Sequence, residues 1–95
     1  MGKFHRQPAP EFTDEKPVAL VDMQLNNYQW GVLRQNKAAV MHAQILKKTP
    51  SHKQMRLAIA KEHWVFLTHL LNRRYELVDM ISMADACALT NSVFE

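Results

Sequence analysis

Glycine is almost missing from this 95-residue chain, which contains only Gly2 and Gly31. Loops that hold a phosphate through backbone N–H groups, such as GxxxxGK[ST] and GxGxxG, need several glycines at fixed spacing. The GxSxG turn of hydrolases needs two closely spaced glycines. The sequence therefore predicts no phosphate loop and no nucleophile turn of this kind. With no other reactive set in view, it predicts neither an enzyme nor a small-molecule substrate.

Cysteine is represented by Cys87 alone. One cysteine can form neither an intrachain disulfide nor the cysteine pairs of a zinc finger. The sequence also lacks HExxH and Glu-x-x-His, so we predict no metal and no other cofactor. A lone cysteine favours a reducing compartment, and we expect the protein in the cytoplasm.

Long apolar runs are also missing, so we expect no membrane span and no secretory signal. The remaining composition is that of a globular protein, with 47% hydrophobic and 22% charged residues. The length suits one small domain.

The first residues are predicted to form an extended arm over positions 1–15. Pro8 and Pro10 exclude a regular helix there, because proline lacks the N–H group that a helix interior needs. Phe4 and Phe12 are the large apolar side chains of this arm. We weigh two alternatives, a loosely held tail and an arm that docks through these phenylalanines.

Residues 16–95 are predicted to be a helical hairpin domain, which makes the fold class all-α. The first helix begins near Pro17, a residue suited to the first helical position. The chain reverses at Thr49-Pro50-Ser51, where the short connection favours antiparallel helices. Ser51 and Gln54 match the capping box of a second helix that runs to about Leu89, with Thr49 as an alternative cap. We expect this helix to bend or restart near Asn72 or Ser82.

At 100° per residue, both predicted helices carry two apolar faces. Packing within one hairpin covers one face of each helix, and an exposed apolar face of this extent marks an interface. We therefore expect a homodimer that completes a four-helix bundle, or one hairpin embedded in a larger complex. The predicted protein-interface residues are Trp30, Leu33, Val40, Met41, Trp64, Leu67, Leu71 and Tyr75.

Charge is unevenly distributed along the chain. Residues 23–75 contain nine Lys or Arg and one acid, whereas the flanking segments contain three Lys or Arg and eight acids. Basic residues concentrate around the predicted turn, where they could bind phosphates. The candidate nucleic-acid-binding residues are Lys47, Lys48, His52, Lys53 and Arg56.

Two functions follow from these surfaces. The favoured expectation is a non-enzymatic helical module, such as a small regulator, adaptor or inhibitor, that binds a protein partner through apolar and aromatic helix faces. The alternative is a small nucleic-acid-binding regulator that uses the basic turn. A plain solvated turn also accounts for the lysines.

Overall fold

The computed structural model describes residues 5–72, 74–89 and 93. The described elements are, in chain order, β1 (His5–Arg6), β2 (Val18–Asn26), α1 (Asn27–Gln35), a 3₁₀ turn (Lys37–Ala39), β3 (His42–Lys48), β4 (His52–Ala60), α2 (Lys61–Leu71), β5 (Arg74–Ile81) and α3 (Met83–Ala88).

The strands form one antiparallel sheet in the order β1-β5-β2-β4-β3, in which β1 is a two-residue edge strand. From β2 to β5 the chain follows the order βαββαβ, and the two central strands are β2 and β4. This connectivity is the split βαβ, or ferredoxin-like, arrangement. Such a sheet has two faces, and α1 and α2 pack on one of them.

The predicted all-α fold is therefore wrong, and with it the two-helix hairpin and the four-helix bundle. The described helices have nine, eleven and six residues. The chain does reverse at Thr49-Pro50-Ser51, but it joins β3 to β4. The helix breaks expected near Asn72 and Ser82 lie where α2 ends and where α3 begins.

Alternation along the two central strands explains why they are strands. In β4, Met55, Leu57 and Ile59 point to the α1–α2 side and are fully buried. The intervening residues Arg56 and Ala58 point to the opposite face, because successive side chains of a strand alternate. Strand β2 repeats this pattern, and the cross-strand pairs of the two strands form the centre of the core.

Local capping fixes the ends of the two longer helices. Asn26 caps α1 by accepting a hydrogen bond from the Gln29 N–H at 2.8 Å, and the Gln29 side chain accepts one from the Asn26 N–H at 3.0 Å. This reciprocal pair is a capping box, in which two otherwise unpaired donors are satisfied. Helix α2 ends at Asn72, which has a φ of 53°. Asparagine tolerates this left-handed conformation better than most residues.

The described part of the N-terminal arm is docked on the domain. His5–Arg6 pair with β5, and residues 7–17 continue without helix or strand. The Tyr75 hydroxyl donates a hydrogen bond to the Pro8 carbonyl. The Phe12 ring meets the Trp64 ring edge-on, with centroids 5.8 Å apart. The arm therefore docks through Phe12, whereas Phe4 lies outside the described residues.

Candidate interaction groove on the helical face

Most of the predicted interface lies inside the monomer. Five of the eight predicted interface residues belong to the core of the single chain, namely Leu33, Val40, Trp64, Leu67 and Tyr75. The sheet covers the apolar surface that a two-helix hairpin would have left exposed. The burial of these five residues removes the reason for placing them at an interface. Only Trp30 and Met41 of that set are described as partly exposed, and the side chain of Leu71 lies outside the described residues.

The helical face nevertheless contains an open groove between α1 and α2. One half, of about 480 Å³, lies between the start of α1 and the end of α2. The other half, of about 530 Å³, lies between the end of α1 with its following turn and the first half of α2. Phe66 lines both halves and so marks the middle of the groove. We refer to this feature as the α1–α2 groove.

Large apolar side chains line the groove and remain open to water. Tyr28 is 77% exposed and Phe66 is 47% exposed, while Val32 and Leu70 are partly buried beside them. Val65 is a further exposed apolar residue on α2. Adjacent apolar groups that stay wet in a monomer are typical of a binding surface.

A hydrogen bond fixes the spacing of the two helices at one end of the groove. The Gln29 side-chain amide donates to the Leu70 carbonyl at 2.9 Å, which ties the first turn of α1 to the last turn of α2. The same side chain takes part in the capping box with Asn26. This hydrogen bond therefore fixes the width of the groove at this end.

The opposite face of the sheet carries a polar row across four strands. Glu76, Asp22, Arg56 and Gln44 are successive cross-strand neighbours. Arg56 donates two hydrogen bonds to the Asp22 carboxylate, at 2.7 and 2.9 Å. These bonds raise the pKa of Arg56 above its ordinary value. Since Asp22 is only 6% exposed, the pair neutralises a carboxylate that would otherwise be costly to bury.

His42 lies beside this row, on the same face of the sheet. It is opposite Ala58 in the register, is 6% exposed, and its Nδ1 has no hydrogen-bond partner among the described residues. Burial, together with the positive charge of Arg56, lowers the pKa of His42 from its ordinary value of 6.5. Both causes act against the protonated ring.

His42 is expected to make the protein less stable in mild acid. The unfolded chain takes up a proton on this residue near pH 6.5, whereas the folded chain takes it up only at lower pH. The free energy of unfolding should therefore fall as the pH drops below 6.5, by at most about 1.4 kcal/mol per pH unit. Urea unfolding between pH 5 and 8 measures this slope. His42→Gln should flatten this slope, and a slope equal to that of the wild type would contradict the assignment.

The predicted basic turn is the β3–β4 hairpin, and its side chains divide between the two faces of the sheet. Lys47 and His52 line a small hollow of about 230 Å³ on the polar-row face, together with Gln24, Thr49 and Gln54. Lys48 pairs with Lys53 in the register, and the Lys53 ammonium lies 5.3 Å from the Trp30 ring centroid on the helical side. Arg56 is no longer a candidate for binding phosphate, because its guanidinium group is paired with the Asp22 carboxylate.

Sequence reasoning missed Tyr28 and Phe66 as surface residues. When the chain is read as two long helices, both residues fall on apolar stripes, which hides their exposure. One signal could have placed Tyr28 correctly. Asn26 is followed three residues later by Gln29, a capping-box pattern that predicts a helix beginning at residue 27. No comparable local signal identifies Phe66, because its exposure depends on where α1 lies across α2.

Comparison with protein families, curated proteins and solved structures finds no match for this chain. Within the described residues, no group of three or more His, Cys, Asp or Glu is arranged to hold a metal ion. None of the described helices is long and apolar enough to cross a membrane.

Proposed function

We propose that this protein is a non-enzymatic interaction module that binds a segment of another protein in the α1–α2 groove. The observation that carries the proposal is the open groove with Tyr28 and Phe66 exposed along it. Tyrosine and other aromatic residues frequently dominate the binding energy of protein interfaces. A groove between two helices also fits a common mode of recognition, in which a partner helix lays its apolar side chains between them.

The chemistry of the lining supports binding rather than catalysis. The residues that line the groove are apolar, amide or basic, and none of them is a carboxylic acid or a thiol. The lining contains two histidines, His69 and His63, but they lie in different halves of the groove, and no carboxylate or thiol lines either half to act with them. Small regulators, adaptors and inhibitors work through such surfaces.

Tyr28→Glu is expected to abolish partner binding while leaving the fold intact. The side chain is 77% exposed, so its replacement should change the free energy of unfolding by no more than about 0.5 kcal/mol. A buried carboxylate at the centre of an apolar contact is costly, which should remove partner capture. The measurement is affinity capture from nuclease-treated extract of the native source, with a thermal melt on the same preparation.

Val78→Glu is the matched control. Val78 is another exposed apolar residue, but it lies on β5 and does not line the groove. Proteins retained by the wild type and by Val78→Glu, but lost with Tyr28→Glu, would support the proposal. Equal retention by all three proteins would place the interaction elsewhere on the molecule.

The basic hairpin favours a second candidate function, the binding of nucleic acid. Lys47, Lys48 and Lys53 lie within one hairpin, and Asp22–Arg56 is the only ion pair among the described residues. The three lysines divide between the two faces of the hairpin but lie close to its turn, where a nucleic-acid backbone could contact them through successive phosphates. We rank this candidate second because the buried aromatic core faces the helices, and the described residues place no row of aromatic rings on the opposite face for bases to stack on.

The triple change of Lys47, Lys48 and Lys53 to Gln tests this second candidate. If the hairpin contacts phosphates, affinity for duplex DNA should fall steeply with salt, and the triple change should reduce the slope of log K against log salt by about 2 to 3. Filter retention across a salt series measures the slope. Changing Lys16, Lys37 and Lys61 to Gln removes the same charge elsewhere and should have a smaller effect. Absence of retention for DNA and RNA at low salt would remove this candidate.

A further inference from the structure

We infer that the segment bound in the α1–α2 groove is acidic at one end and apolar at the other. This inference rests on the proposed function and adds the chemistry and the direction of the partner. It comes from a difference between the two halves of the groove. Each half contains one histidine, His69 in the half near Tyr28 and His63 in the other, but Arg34 and Lys37 line only the second half.

No carboxylate lines the basic half of the groove among the described residues. Arg34 and Lys37 form no ion pair with any described residue. Glu62 is the one carboxylic acid between residues 23 and 75, and it does not line either half. An acidic group from a partner would therefore meet cations that no described residue pairs with, which favours complementary charge over like charge.

The position of Arg34 and Lys37 also sets the direction in which the partner segment lies along the groove. Arg34 lies in the last turn of α1 and Lys37 in the turn that follows it, so both lie at the end of the groove opposite the Gln29–Leu70 hydrogen bond. Phe66 separates this end from the half lined by Tyr28, Val32 and Leu70. The acidic residues of the partner therefore lie against the end of α1, and its apolar side chains lie against the beginning of α1.

Peptide selection tests this inference with a defined probe. A random peptide library displayed on phage is selected on the wild-type protein, and the enriched peptides are synthesised and titrated by fluorescence anisotropy. We expect apolar residues next to a cluster of Asp or Glu. Arg34→Glu with Lys37→Glu should weaken these peptides at least about tenfold, because it places like charges together. Lys47→Glu with Lys48→Glu makes the same change in net charge outside the groove and should leave the affinity within about twofold.

Each outcome separates the partner's chemistry from the site itself. Peptides that need Tyr28 and Phe66, but show no acidic preference or no response to Arg34→Glu with Lys37→Glu, would overturn the inference and leave the proposed function standing. Selection that yields no peptide sensitive to Phe66→Glu, in a variant that melts as a folded protein, would overturn both. If light scattering shows that the wild type is a dimer and Phe66→Glu a monomer, a second copy covers the groove and the peptide proposal fails.

Discussion

Trp64→Ala is expected to lower the free energy of unfolding by about 3–5 kcal/mol, the range for removing a large aromatic side chain from a core. Trp64 is 4% exposed and lies between Phe12 of the arm and Tyr75 of β5. The loss is large against the 5–15 kcal/mol that stabilises a typical domain. A chain of this size should melt on the order of 20 °C lower, as measured by circular dichroism.

Trp64→Phe provides the matched control. It keeps an aromatic ring between Phe12 and Tyr75, and it removes an indole Nε1 that is buried without a hydrogen-bond partner among the described residues. We therefore expect Trp64→Phe to cost well under half as much as Trp64→Ala. If Trp64→Ala melts close to the wild type, the arm and β5 do not enclose this side chain as described.

Arg56→Met is expected to cost about 3 kcal/mol, because it leaves the Asp22 carboxylate buried without the partner that donates two hydrogen bonds to it. We take the lower end of the range for buried pairs, since the arginine side chain is 36% exposed and water screens part of the interaction. Urea unfolding at neutral pH measures the change.

A double-mutant cycle isolates the pair. Asp22→Asn should cost only about 1 kcal/mol, because the arginine it leaves behind still reaches water. Combining Asp22→Asn with Arg56→Met should cost less than Arg56→Met alone, since no charge then remains buried. Simple addition of the two single effects would show that the two side chains do not stabilise one another in solution.

Strand β4 shows why the helical interpretation of the sequence failed. Leucine, alanine, methionine, glutamine, lysine and arginine make up most of its residues, and all of them are good helix formers. Their spacing also satisfies a helical stripe when read over a long window. Met55, Leu57 and Ile59 do alternate with less apolar residues in the sequence. This alternation covers only one strand, so it is a weaker signal than the helical stripe read over a long window. Pairing with β2 and β3 decides the conformation, and it involves residues distant along the chain.

The reversal of direction was easier to predict than the elements it joins. Pro50 interrupts helix and strand alike, so a break there follows from the proline ring. A β-hairpin is most readily predicted from Asn-Gly or Asp-Gly, and this chain has neither. In their place Thr49 closes the turn, with its hydroxyl accepting a hydrogen bond from the His52 N–H at 3.1 Å.

The candidate sites were predictable only where composition determines them. The clustering of Lys47, Lys48 and Lys53 survives the change from helices to strands, because the three residues lie close to the same turn in either structure. The pairing of Arg56 with Asp22 could not be predicted, since it joins residues 34 positions apart through the register of β2 and β4. The α1–α2 groove also could not be predicted from the sequence, because it forms only when α1 and α2 pack side by side on the sheet.

The two edges of the sheet differ in how they resist aggregation. Strand β3 has an irregularity between Ile45 and Lys47 and ends in two lysines, features that discourage another strand from pairing with it. Near Tyr75, by contrast, the edge of strand β5 is covered by His5–Arg6, which pair with it. The docked arm thus shields backbone N–H and C=O groups that could otherwise recruit a neighbouring molecule. Its attachment through Pro8 and Phe12 therefore protects the solubility of the folded chain as well as its stability.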